Sequence, residues 1–273
     1  MSNLDMTWEC RVDRTDELGV LANSLNVMAK RLDAAMKDLE EANRKLKGDM
    51  EHITEISRQR RDFFAAASHE LKTPITILKG QIESMILGIG KYKDTEKVLP
   101  KTLKEVENME RLVKEILTIS KIEMDGLAGK AEPVPLPDML TKVTETLLPL
   151  ARERQITVHS CLAGTVTVSG HASLLEKAIH NILSNAIRHS PEGAEVFICL
   201  TTSVLTVTNT GASIPKEDLP VLFTPFYRVE KSRNKSTGGS GLGLYLVKTI
   251  LELHGFQYWV ENAEMGVVFT MEF

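Results

Sequence analysis

The sequence predicts a multidomain chain: an all-α dimeric coiled coil and a helical hairpin that pairs into a four-helix bundle, followed by an α/β sandwich. Three observations predict it. An apolar repeat in steps of three and four runs through the opening stretch, and two helix-period segments then flank a Gly-rich turn. Beyond a Gly/Pro-rich break, helices alternate with short strands, the pattern of a mixed sheet with helices on one face.

The coil occupies about residues 12–57. Leu18, Leu21, Leu25, Met28, Leu32, Ala35, Leu39, Ala42, Leu46, Ile53 and Ile56 follow the repeat, with Glu, Lys and Arg between them. That narrow seam is the signature of a parallel coiled coil. Asp49 breaks the series beside Gly48, which marks an expected soft spot or register change.

Residues 58–125 read as a helix to about Leu87, a turn through Gly88–Asp94, and a second helix from about Glu96 to Met124. Leu99, Leu103, Val106, Met109, Val113 and Ile116 form the second helix's seam. A bare hairpin cannot bury such a face, but two hairpins can, so a homodimer is expected on physical grounds. Residues 126–135, with Gly126, Gly129, Pro133 and Pro135, read as a linker.

The region 136–273 reads as helix (138–152), strand (155–161), helix (172–188), strands (194–201 and 203–209), a Gly/Ser-rich lid, helix (241–254) and two closing strands (256–261 and 266–272). The Glu192–Gly193 and Thr202–Ser203 turns suit antiparallel pairing.

Composition narrows the function classes. The net charge of −4 and the absence of a basic stripe speak against a nucleic-acid partner. Cys10, Cys161 and Cys199 are dispersed and odd in number, and the pattern fits reduced thiols in a cytoplasmic setting. His52, His159, His171, His180 and His254 show no metal-ligand spacing and read as structural or surface histidines. No apolar run reaches the length of a membrane span, so the chain as given reads as soluble. Its start, close to the middle of a recognisable helical module, suggests part of something longer.

Four constellations carry chemistry. Ser68-His69-Glu70-Leu71-Lys72-Thr73-Pro74 sets a nucleophilic imidazole beside a carboxylate that can orient it or take its proton. Thr73 lies one helical turn on, able to hold a water, and Pro74 should bend or loosen the helix. In isolation such a His–Glu pair is more often plain surface. Asn181 and Asn185 stand one turn apart with Arg188 and His189 beyond, a set suited to Mg²⁺ and phosphate but equally to helix capping. Val207-Thr208-Asn209-Thr210-Gly211-Ala212-Ser213 ends a strand with a polar residue and a glycine that allows close approach of a flat ligand. Gly238-Gly239-Ser240-Gly241-Leu242-Gly243 runs into a helix, where free N–H groups and the dipole suit phosphate. It has neither the context of a Rossmann fingerprint nor the Lys-Ser/Thr of a P-loop.

In their order and spacing these segments resemble the sensor histidine kinases of two-component systems over essentially the whole chain. The resemblance implies a catalytic domain of the histidine kinase, gyrase and chaperone type over 136–273, a dimerisation and phosphotransfer domain over 58–125, and a coiled-coil signalling helix over 37–57. Residues 1–36, with Asp16-Glu17-Leu18-Gly19, resemble the second helix of a HAMP module. It implies His69 as phosphoacceptor, Glu70 as general base, and Thr73 as the residue that places the water for dephosphorylating a partner. Asn185 would hold Mg²⁺ with Asn181 nearby, Arg188 and His189 would meet ATP phosphates, and Arg228 or Arg188 would balance charge. Phe223, Phe226, Tyr227 and Arg228 resemble the box opening the ATP lid; Gly239, Gly241, Leu242 and Gly243 resemble the glycine box closing it.

Asn209 and Gly211 would lie against the adenine. Asn209 departs from the family, which usually carries aspartate there, and Ala212-Ser213 replaces a common glycine. A neutral acceptor forms a weaker bond than a charged one, so weaker ATP affinity is expected. The cofactors implied are ATP and Mg²⁺. The implied partners are a second copy and a response regulator, and the full-length protein would be membrane-anchored. Phe63–Gly80 most resembles the vancomycin-resistance sensor kinases, which adds an antibiotic-resistance reading. Two other readings keep the same residues: a silent or mainly phosphatase-acting regulator, and a non-kinase ATPase of the gyrase or chaperone type.

Overall fold

The computed structural model describes residues 16–125, 131–229 and 239–273. Two compact units, 1–64 and 65–273, share one long helix, α1 (Glu17–Ile86), whose chain passes from the first into the second. Cys10 and the first part of the HAMP-like stretch lie outside the described residues.

In the first unit α1 carries its apolar repeat in the open. Leu18, Leu21, Leu39, Leu46, Ile53 and Ile56 are all exposed. Among the described residues nothing covers this stripe, which is the condition a coiled-coil seam presents. The helix continues through Gly48 and through Pro74, so neither interrupts it. At Gly48 the propensity cost is about 1 kcal/mol, too small to break a long cooperative helix.

In the second unit the rest of α1 and α2 (Thr95–Asp125) form the hairpin, joined by a 3-10 turn at Gly90–Lys93. Gly88 and Gly90 adopt positive φ there (61° and 54°), as this tight reversal requires. The Thr102 hydroxyl meets Gln81 Oε1 at 3.2 Å and links the two helices. Leu99, Leu103, Val106 and Val113 stay exposed, whereas Ile116 is buried and turns toward the protein.

The sandwich follows. β1 (Glu132–Pro135) pairs antiparallel with β3 (Thr167–Gly170) in a small two-stranded sheet. Part of the stretch read as linker is therefore a strand, and β3 has no counterpart in the sequence reading. Both strands have four residues and meet only through a long-range pairing, so neither leaves a local period. α3 (Leu136–Glu153), β2 (Thr157–Leu162) and α4 (Ala172–His189) lead into β4 (Glu195–Leu200) and β5 (Val204–Thr210). α5 (Gly243–Leu253), β6 (Gln257–Ala263) and β7 (Gly266–Glu272) complete the chain.

The main sheet has the order β2-β4-β5-β7-β6. β2 and β4 are parallel and the other pairs antiparallel. The Glu192–Gly193 turn thus joins a helix to a parallel strand instead of making a hairpin. Thr201–Ser203 does make one, with Thr201 N–H donating to Val204 O at 2.8 Å. Val196, Ile198, Leu205, Val207, Phe269 and Met271 alternate inward and pack beneath the helices. His254 is a structural link: its Nε2 accepts the His171 backbone N–H at 3.0 Å, and Nδ1 lies 2.7 Å from Ile250 O.

β5 sits at the centre of the sheet, and Gly266 of β7 lets its end come close. A Cβ at Gly266 would lie 2.0 Å from Asn209 O. The expected outcome for Gly266→Ala is a stability loss of about 2 kcal/mol or more, read as a lower urea midpoint with m unchanged. A loss below about 0.5 kcal/mol would contradict this packing account.

Candidate functional site

Two segments cross to make the site. Gly241 has φ 75°, and a Cβ there would fall 2.7 Å from the Phe226 carbonyl carbon. Phe226, a non-glycine residue at φ 63°, donates its N–H to Gly241 O at 3.0 Å. The two boxes that flank residues 230–238 are thus tied together by backbone. Positive φ at a bulky residue costs about 1–3 kcal/mol and persists only when its surroundings hold it. Tyr227 adds a hydroxyl bond to Asp218 Oδ1 at 2.6 Å.

The crossing sets the start of α5. Gly243 begins that helix, and a Cβ there would lie 3.4 Å from Asn181 Oδ1 and 3.9 Å from Asn185 Nδ2. The amide pair of α4 thus lies in ordinary contact distance of the helix N-terminus. Ser240 Oγ accepts the Leu242 N–H at 3.2 Å. Leu242 itself is fully buried.

These elements line a cavity of about 1600 Å³. Its wall gathers Asn181, Asn185, Arg188 and His189 from α4, Asn209 and Gly211 from the end of β5, and Tyr227 and Arg228 from the segment before residue 230. Gly239, Gly241 and Gly243 come from the segment that leads into α5. Phe226 and Leu242 stand behind the wall instead of in it. Phe223 packs edge-on against Tyr258, 4.9 Å between centroids.

His69, Glu70 and Thr73 are not among the lining residues. They lie on the exposed face of α1, where the His69 side chain is 79% exposed and Nδ1 is 3.8 Å from Glu70 Oε1. Thr73 Oγ1 donates to His69 O at 3.3 Å. The hydroxyl thus occupies a backbone carbonyl on the turn below Pro74.

The sequence reading missed what α2 brings. Arg111, Lys114, Glu115, Thr118 and Lys121 line the cavity from the hairpin side, and Arg154 enters from the end of α3. Glu115 accepts a 2.6 Å bond from the Ser240 hydroxyl, and Tyr245 donates to Glu123 at 3.0 Å. In sequence these residues look like the solvated charges of any helix face, and no local signal separates them.

Positive charge converges on the cavity. Arg188 Nε and Arg154 Nε are buried without a hydrogen-bond partner among the described residues. Burial lowers the Arg188 pKa, and Arg111 and Arg154 lower it further while Glu115 opposes them. Crowding by protein atoms, then Arg154, Arg188 and Arg228, hold the His189 imidazole below its ordinary value. Orphaned buried guanidinium donors beside a glycine loop and a helix N-terminus fit a polyphosphate. The amide pair supplies hard oxygen for a divalent cation shared with those phosphates, so the residues present also fit Mg²⁺. Among the described residues no helix is long and apolar enough to cross a membrane. Cys161 and Cys199 are free thiols.

Comparison with known proteins finds two family models and several relatives. Residues 170–273 match the model of the histidine kinase-, DNA gyrase B- and HSP90-like ATPases. Residues 59–125 match that of the His kinase A phospho-acceptor domain. The sensor protein VanSB of Enterococcus faecalis is 34% identical over 266 residues, covering 96% of this chain and 58% of that protein. The chain therefore spans under two thirds of the length of this curated relative. The solved Acinetobacter baumannii histidine kinase AdeS has 26% identity and a TM-score of 0.62, covering 75% of this chain and 96% of that one. Histidine kinase ThkA, solved in complex with response regulator protein TrrA, has 26% identity and a TM-score of 0.61, covering 77% of this chain and 60% of that one.

Burial raises the Glu115 pKa, against the lowering influence of Ser240, Arg111 and Arg188. A carboxyl whose folded pKa lies above its unfolded value weakens folding as pH rises through that window. Glu115→Gln is expected to melt above wild type at pH 7.5, the gap narrowing as pH falls toward 5. A gap that is constant or reversed with pH would contradict the assignment.

Proposed function

The chain belongs, through its phospho-acceptor and ATPase regions, to the sensor histidine kinases, and on that premise we propose that it is an ATP-dependent protein-histidine kinase. It autophosphorylates His69 and passes the group to an aspartate of a response regulator, and it also dephosphorylates that regulator. The observation that carries this reading is the single cavity uniting the amide pair, the orphaned guanidinium donors and the glycine loop. Its fit to a nucleoside triphosphate is joined, in one chain, to a helix-borne His–Glu pair.

The chemistry follows from these side chains. Glu70 holds the Nδ1 side of His69, leaving Nε2 to attack the γ-phosphorus in line. The new N–P bond forms as the bond from γ-phosphorus to the β–γ bridging oxygen breaks, ADP leaves, and the imidazole proton passes to Glu70. Asn185, with Asn181 beside it, would hold Mg²⁺, which neutralises phosphate charge when bound. Arg188, His189 and Arg228 meet the phosphates, and Gly239, Gly241 and Gly243 cradle them. Thr73 orients the water used against the phosphorylated regulator. The exposed seams of α1 and α2 support a homodimer, with a coil over 37–57 and the phosphotransfer bundle over 58–125. The HAMP-like start supports a membrane-anchored full-length sensor, and the Phe63–Gly80 run supports a place near the vancomycin-resistance sensors.

One observation favours a second state of the same protein. With α2 docked through Glu115–Ser240 and Tyr245–Glu123, His69 lies outside the cavity wall. A kinase must release these contacts before the phosphoryl group reaches His69, and a phosphatase-acting regulator need not.

Incubation with γ-labelled ATP and Mg²⁺ is expected to give acid-labile, alkali-stable label that His69→Ala abolishes while leaving nucleotide binding intact. No label on wild type, with nucleotide bound, would sink the kinase reading in favour of the phosphatase-acting one. Phosphate release without protein label would point to a plain ATPase. Asn185→Ala is expected to weaken Mg²⁺-dependent ATP binding at least about tenfold, with the melting temperature unchanged.

A further inference from the structure

β2 and β4 run parallel, with His159 opposite Phe197 and, two residues on, Cys161 opposite Cys199. The His159 and Phe197 rings stack with 4.9 Å between centroids, so these register partners share one face. Val158, Val196 and Ile198 point the other way, toward Leu183 and Ile187 of α4. Side chains alternate along a strand, so Cys161 and Cys199 lie side by side on the outer face with the stacked rings. Both are free thiols, Cys161 exposed and Cys199 half-buried. Neither lines the nucleotide cavity.

Two thiols held in register can do what a lone thiol cannot. Neighbouring strands lie about 4.8 Å apart. A disulfide spans Cα separations of about 4.4–6.8 Å, so an in-register pair falls within its reach, toward the short end. A bond made there carries strain, and strained, exposed disulfides are the ones that are easily reduced. The ladder from Thr157–Glu195 to Leu162–Leu200 keeps the two sulfurs on neighbouring positions. The geometry therefore favours a bond that closes within one chain and opens again.

We infer that Cys161 and Cys199 form a dithiol site for two-electron oxidants of the hydroperoxide class, and that it closes reversibly to an intramolecular disulfide. The exposed Cys161 attacks first, as its thiolate, on a hydroperoxide oxygen. The S–O bond forms as the O–O bond breaks, and the leaving oxygen takes up the proton that Cys161 lost. This gives a sulfenic acid and an alcohol, or water where the oxidant is hydrogen peroxide. The Cys199 sulfur then attacks the Cys161 sulfur. The S–S bond forms as the S–O bond breaks, and hydroxide leaves as water with the Cys199 proton. The two thiols lose two electrons and the hydroperoxide gains them. The product ties the edge strand β2 to β4 across the outer face.

The test uses the full chain with Cys10→Ser, which leaves Cys161 and Cys199 as its only thiols. The chain is treated with hydrogen peroxide, the remaining thiols are counted by alkylation, and any link is located by peptide mapping without reduction. Both thiols are expected to disappear together into one Cys161–Cys199 peptide pair within a single chain, and reduced glutathione should return both. Closure is also expected to be at least about tenfold faster in the folded chain than in urea, where the strands no longer hold the sulfurs together. Thiols that survive the oxidant, a link between chains, a link that glutathione leaves closed, or equal rates folded and unfolded would each overturn the proposal. Should Cys10→Ser fold poorly, the wild-type chain serves, because mapping separates Cys10 from the other two. A link made to Cys10 instead would then overturn the proposal as well.

Discussion

The site depends on one close backbone crossing, that of Phe226 over Gly241. The 3.0 Å bond from Phe226 N–H to Gly241 O fixes where the two flanking segments meet. Gly241 is forced by space and by φ together, because any side chain would strike the Phe226 backbone. From that point the chain enters α5 at Gly243, close against the Asn181 and Asn185 amides. Move the crossing and the helix N-terminus, the amide pair and the Ser240 hydroxyl lose their common focus.

Around this focus the protein keeps charge in deliberate imbalance. Arg111, Arg154, Arg188 and Arg228 face a cavity whose own polar lining does not satisfy them all, since two guanidinium Nε donors are orphaned. Glu115 is an acidic group of the hairpin among these cations, and it grips the glycine loop through Ser240. Arg111 and Arg188 both act on the Glu115 carboxyl, so the hairpin meets the cavity's cations through ordinary electrostatics.

Much of the fold was legible because it rests on local periods. The three–four repeat from Leu18 to Ile56 and the alternation through β5 each reflect a face in contact with one environment. The strands β1 and β3 were not legible. Glu132–Pro135 carries two prolines and reads as a linker, and it becomes a strand only because Thr167–Gly170 returns beside it. The parallel pairing of β2 with β4 was likewise hidden, since a turn before a strand does not reveal which neighbour it finds. For the site, glycines and amides at fixed spacing announced themselves. Arg111, Glu115 and Arg154 did not, because a charged residue on a helix face looks the same whether it meets water or a cavity.

By itself the sequence determined the element types, the positions of the nucleophile, amide and glycine motifs, and the apolar seams that one chain leaves exposed. Each of these follows from backbone propensity or from the period of burial, which act over a few residues. Only the tertiary structure decided which motifs meet. It brought the 181–189 helix to the 239–243 loop, set Asn209 between Val196 and Val267 in the sheet, and put α2 instead of His69 against the cavity. Such meetings depend on how a sheet orders its strands and how a hairpin docks, and no short stretch of chain encodes either.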